Sequence, residues 1–181
     1  MEQIVRADYV QAVKAIKQAI QVSRYRVSRH ANGVSLGLYY GVGKYISEHS
    51  RNAAWGTGAI EHISNQLQQE MPGLKGFSAE NMRKMRLFYE AWVDVFENRS
   101  AVPNNLGIMP ITTEIQPFMF RSAVPNEIEE QDLESFLSIG FTHHVTIFSK
   151  TKNLSARWFY IRRAATEFWG YRRLEQALRD D

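Results

Sequence analysis

The chain has 181 residues, 44% of them hydrophobic, with a formal net charge of +3 and no cysteine. That length suits one helical domain or two small lobes with a real core, and the lack of cysteine excludes disulfide frameworks, thiolate metal sites and cysteine nucleophiles. Met1 to Arg6 lack the flank and apolar run of a secretory signal, and no stretch is apolar enough to span a bilayer. A cytoplasmic protein with no membrane partner is expected.

Tyr9, Val13, Ile16 and Ile20 recur at helical spacing and predict an amphipathic first helix. A second is predicted from about Asn32, carrying Leu38, Tyr39, Val42 and Ile46. Its glycines Gly37, Gly41 and Gly43 each lower helix propensity by about 1 kcal/mol, and the spacing of Gly37 and Gly41 suits either close helix contact or a loosened segment. A third helix starts around Thr57 with Ile60, Ile63, Leu67 and Met71 on one face, and Pro72 and Gly73 stop it. The next start is sharply marked, because Ser78 is a good N-cap and Phe77 and Met82 occupy the positions of a hydrophobic staple. Met82, Met85, Tyr89, Trp92 and Phe96 are its expected buried stripe.

The helical pattern fails between Asn98 and Asn126, where prolines and asparagines predict loop or short extended segments. The hexapeptide Arg99 to Asn104 returns unchanged as Arg121 to Asn126, and two copies are too few for a solenoid, so it reads as an insertion in a tolerant connector. The apolar residues between them, Ile108 to Met119, are expected to cover a neighbouring surface or form a hairpin. Helical signals resume at Asp132 and break at Gly140. Thr142 is a candidate cap for a segment through Phe148 that keeps some strand character, Ser155 for a helix carrying Trp158, Phe159, Arg162 and Arg163, and Gly170 separates that helix from a last one over Tyr171 to Leu178. The expected fold is an all-α multi-helix bundle, with an N-terminal lobe over 1–97, a connector over 98–131 and a C-terminal lobe over 132–181.

Charge is distributed unevenly. Glu114 to Glu134 hold six acids against Arg121, a balance of −5 that leaves +8 on the rest of the chain. A basic remainder suits a polyanion, because lysine and arginine displace counterions from phosphates; solvated helix faces are the plainer reading of the same charges. The helices over Thr57 to Met71 and Ser78 to Phe96 have the outline of a helix-turn-helix, with a turn longer than usual. In the functional reading Lys75, Ser78 and Asn81 lie at the start of the second helix, Arg83, Lys84 and Arg86 supply cations, and Glu80 or Asn81 faces bases. A second basic concentration, Arg162, Arg163, Arg172 and Arg173, is interleaved with aromatics, which suits phosphate and unpaired bases; the tryptophans read more readily as core.

Catalytic signatures do not emerge. The adjacent His143 and His144 point about 100° apart on a helix and suit structural roles better than one metal ion. No HExxH or GxxxxGK motif occurs, and no Ser, His, Asp order stands out. The acids from Glu127 to Glu134 lack the Asp then Glu-x-Lys arrangement of restriction-type nucleases. No catalytic residue, cofactor or metal is therefore assigned.

The run Leu38 to Ile46 (LYYGVGKYI), Trp55-Gly56, then Pro72 to Ser78 (PGLKGFS) with Asn81, Met85, Arg86, Phe88 and Tyr89 resembles the N-terminal domain of YhcG-type proteins. Thr142 to His144, Phe159 to Ile161, and Trp169 with Arg172 to Glu175 are similar to that domain's second half. The sequence departs from the pattern at Phe141, where tryptophan is usual, at Tyr171, where a serine would cap the last helix, and in the connector. The resemblance implies a helical domain usually joined to a C-terminal PD-(D/E)xK nuclease fold and suspected of binding DNA.

The expected function is a non-catalytic DNA-binding or targeting domain, with duplex DNA and a linked nuclease domain as partners. The alternative is a protein-interaction or dimerisation module that self-associates through its aromatic helices or docks onto the nuclease domain or a partner protein; a third reading is RNA binding through the terminal arginines and aromatics.

Overall fold

The computed structural model describes residues 2–51, 55, 56, 58–97, 118, 120 and 129–180, and in the first helix the side chains of 11, 13–20, 22, 23 and 27–50. The described residues form an all-α fold of seven helices with no strand: α1 (Glu2–Arg51), α2 (Ala59–Glu70), α3 (Ala79–Phe96), α4 (Glu130–Ser138), α5 (Phe141–Lys150), α6 (Leu154–Thr166) and α7 (Tyr171–Asp180). The repeated hexapeptide, the start at Thr57 and the apolar residues Ile108 to Ile115 and Met119 lie outside the described residues.

The two helices expected before residue 51 are one. A second helix is expected from about Asn32, yet α1 runs through that point as one helix of 50 residues. Tertiary contact explains the continuity. Asn32 Nδ2 donates to the Ser138 carbonyl at the end of α4 (3.1 Å), Gly33 lies 3.6 Å from a Leu137 methyl, and Arg29 pairs with Glu134. The N-terminal stripe also differs from its expected burial, since Val13, Ile16 and Ile20 face solvent.

Beyond Arg29, α1 lies against α3, α4 and α5. Its Leu36 and Tyr40 enter a core shared with Phe88, Trp92 and Phe96 of α3, Phe136 of α4, Ile147 of α5, Trp158 and Ile161 of α6, and Leu174 of α7. Residues from before and after the 98–131 connector therefore share one core. Phe118 and Phe120 close it over Tyr40 and Phe96, and the Phe118 amide donates to the Gly37 carbonyl at 2.9 Å. A smaller cluster joins Val42 and Ile46 of α1 to Met82 and Met85 of α3, with Ile60, Ile63 and Leu67 of α2 against it.

Local signals explain most boundaries. The Ser78 side chain accepts from the Asn81 amide, and Phe77 and Met82 share the smaller cluster, so the expected cap and staple both form. Gly73 and Gly76 take left-handed φ of 86° and 89° in the α2–α3 turn, where a side chain would be strained. The segment from Phe141 is helical, preceded by Gly140, with Thr142 inside its first turn. Asn153 caps α6 through Ala156 N, so Ser155 falls inside the helix rather than at its cap. Phe141 packs on Tyr39 and Phe88 (ring centroids 4.8 and 5.6 Å).

His143 and His144 both serve the fold. His144 is buried, and its Nε2–H donates to the Phe136 carbonyl at 2.9 Å; His143 Nε2–H donates to the Trp169 carbonyl at 2.9 Å. A carbonyl has no proton to give, so each Nε2 must be the donor.

Candidate nucleic-acid interface

The cations at the start of α3 are all matched by acids. Arg83 pairs with Glu61 across the α2–α3 hairpin, Lys84 with Glu80 one turn earlier, and Arg86 with Glu90 one turn later (3.8 Å). The Lys84 ammonium holds the Glu80 carboxyl below its ordinary range, and Glu61 is lowered by its own backbone amide and then by Arg83. Exposed pairs of this kind contribute little stability, but they leave the face locally near neutral. Asn81 is occupied in the turn, since its side chain donates to the Gly76 carbonyl at 3.1 Å while its amide donates to Ser78. Exposed Lys75 has no ion pair among the described residues.

The C-terminal arginines divide by role. Arg162 grips Asp132 of α4 through both Nε and Nη2 (2.5 and 2.6 Å), a two-point bond that ties α6 to α4. Arg157, also half-buried, donates to the Ala91 carbonyl at 2.9 Å and lies over Trp92, and burial lowers its pKa. These two are structural. Arg163 and Arg173 instead sit against the ring of Trp169 (5.2 and 5.4 Å to its centroid), and Arg163 also lies over Phe159 (5.7 Å). Arg172, beside Arg173, is exposed and has no ion pair among the described residues. Glu167 is the nearby acid, accepting from Arg163 (2.7 Å) and from Trp169 Nε1 (2.8 Å), which holds its carboxyl below the ordinary range.

The connector between α6 and α7 is built in an unusual way. The Glu167 amide donates to Arg163 O and the Trp169 amide to Ala164 O, closing the end of α6 around a left-handed residue. That residue is Phe168, with φ 54°, where glycine is the usual occupant. A left-handed phenylalanine costs about 1–2 kcal/mol. Its ring is nevertheless 70% exposed, and Phe159 beside the same arginines is 47% exposed. Trp158, Tyr160 and Trp169 are buried, as their core reading implies. The structure therefore brings Arg163 and Arg173 onto Trp169, with Arg163 paired to Glu167 as the α3 cations are paired to their acids, and leaves Arg172 and Arg173 without an ion pair among the described residues. Residue types and spacing pointed to the arginines; nothing in the sequence pointed to the backbone state of Phe168.

Among the described residues no group of three His, Asp or Glu side chains could hold a metal ion, and no helix is long and apolar enough to cross a membrane.

The model of the DUF1016 N-terminal domain matches residues 15–181. The chain belongs to that family. The DUF1016 domain is also 29% identical over 178 residues to an Escherichia coli (strain K12) protein named "Putative nuclease YhcG", an alignment covering 95% of this chain and 45% of that protein. The domain thus spans less than half the length of the relative it matches. No solved structure matches it.

Proposed function

We propose that this domain is a non-catalytic DNA-binding module that delivers a linked nuclease domain to its substrate. It binds with the α6–α7 end of the bundle. Arg172 and Arg173 contact phosphates, and Phe159 and Phe168 offer faces to bases that are unstacked or at a duplex end. The observation that carries this reading is the α6–α7 end itself, where Arg173 lies over Trp169, Arg172 has no ion pair among the described residues, and Phe159 and Phe168 are 47% and 70% exposed. The relation to a nuclease-named protein of more than twice this length supports a partner domain that cuts.

Fluorescence anisotropy with labelled 20-base duplex, single-stranded DNA and RNA tests the proposal. Two phosphate contacts imply that affinity falls about 12-fold between 50 and 200 mM salt. Phe168→Gly is expected to weaken binding several-fold. No binding at 50 mM salt, or binding indifferent to both salt and Phe168, would refute it.

A further inference from the structure

The N-terminal half of α1 has no partner within the described structure. Among the described residues, contacts between α1 and the rest of the molecule begin at Arg29, and every described side chain from 11 to 28 is exposed. Yet this segment is not polar. Val13, Ile16, Ile20, Val27 and Val34 are 65%, 60%, 47%, 69% and 63% exposed.

Their spacing is specific. Val13, Ile20, Val27 and Val34 recur every seven residues, and Ile16 lies three after Val13, so they occupy a and d positions of one heptad frame that Tyr9 also fits. A seven-residue repeat keeps an apolar seam facing one partner helix along a left-handed supercoil. The described part of the body does not supply that partner. At about 100° per residue, Val34 lies about 120–160° around α1 from Arg29, Leu36 and Tyr40, which face the body. Among the described residues the seam is uncovered.

We infer that α1 pairs with α1 of a second copy of this chain as a parallel, two-stranded coiled coil. Two features select this occupant. All four a positions from Val13 to Val34 are β-branched, the choice that favours two parallel strands. Five seam residues from each of two copies, at roughly 100 Å² apiece, bury about 1,000 Å² before flanking stems are counted, the size at which a specific interface begins. Ser23 and His30 at d are the polar exceptions and would fix the register at some expense of affinity. The pairing is symmetric, so each body stands outside the coil with its α6–α7 end free. The inference does not depend on nucleic-acid binding.

The complete 181-residue chain is suited to the test. Light scattering coupled to size exclusion should give twice the 20.9 kDa chain mass, and Ile16→Asp with Ile20→Asp should return one chain mass and weaken dimerisation at least 100-fold. The burial of Trp92 and Trp158, read by fluorescence, should not change, since the seam lies outside the core. Because the chain has no cysteine, Ser23→Cys provides an alignment probe: in a parallel in-register coil it meets its own counterpart and oxidises to a covalent dimer. A monomer at 100 µM, a dimer that survives the double aspartate variant, or a dimer in which Ser23→Cys fails to cross-link would each overturn the inference.

Discussion

Gly43→Val is expected to destabilise the domain by about 3 kcal/mol, lowering Tm by about 6–12 °C for a chain of this size. A Cβ built at Gly43 would fall 2.1 Å from the Met85 carbonyl oxygen and 2.6 Å from its carbon, with Tyr89 Cβ at 3.1 Å. The obstacle is backbone, so a rotamer change cannot relieve it, and α1 and α3 must separate. Separation would open both clusters, because Val42 and Ile46 meet Met82 and Met85 on one side of the contact and Tyr40 meets Tyr89 and Phe88 on the other. Gly43→Ala is also expected to lose stability, even though alanine gains about 1 kcal/mol of helix propensity. Gly33→Ala is the matched control. Its nearest neighbour is the Leu137 methyl at 3.6 Å, ordinary contact, so the propensity gain should appear there as a small rise in Tm. Thermal melts of the three variants check the contrast.

Acid should destabilise the fold before its carboxylates titrate. Burial within the Phe88, Trp92 and Phe136 rings pushes the His144 pKa down to about 3; the hydrogen bond to Phe136 opposes that shift and the neighbouring His143 reinforces it. In the unfolded chain the same imidazole takes a proton near pH 6.5. As pH falls from 6.5 towards 3, the unfolded state therefore binds a proton that the native state refuses, and stability declines across that window. Above pH 6.5 His144 is neutral in both states and contributes no slope. Between pH 6.5 and 4.5 the loss amounts to about 2 kcal/mol, readable as a fall in the urea midpoint. His144→Gln preserves a donor for the Phe136 carbonyl and should flatten the profile between those two pH values, although it starts from lower stability at pH 7. An unchanged slope in that variant would show that His144 is not the group responsible.

How far the sequence determined the structure differs from element to element. α3 was legible throughout, because its cap, its staple and its apolar stripe are local signals that agree, and Met82, Met85, Tyr89, Trp92 and Phe96 are all buried. α1 was not. A new helix is expected to start near Asn32, and the contacts that carry α1 through that point come from α4, about a hundred residues further on. The N-terminal stripe was read correctly as periodic, but periodicity does not reveal whether a seam is covered by the same chain. In the candidate interface, the pairs Lys84 with Glu80 and Arg86 with Glu90 are four residues apart and were visible in the sequence as helix-surface partners. Arg83 with Glu61 and Arg162 with Asp132 are 22 and 30 residues apart, and only folding brings them together. Cations that look equivalent in sequence thus differ by what folding places beside them. The left-handed Phe168 had no sequence signal, since glycine is the residue that announces such a turn.

The central claim is that the α6–α7 end, and not the start of α3, contacts nucleic acid. The direct test is the salt dependence of duplex DNA binding for the wild-type chain, Arg172→Glu with Arg173→Glu, and Arg83→Glu with Lys84→Glu and Arg86→Glu. The account predicts that the α7 pair lowers the slope of log affinity against log salt by about two and weakens binding at least tenfold, while the α3 triple variant stays within about threefold of wild type with its slope unchanged. Loss of binding in the α3 variant with the α7 pair unaffected would contradict it.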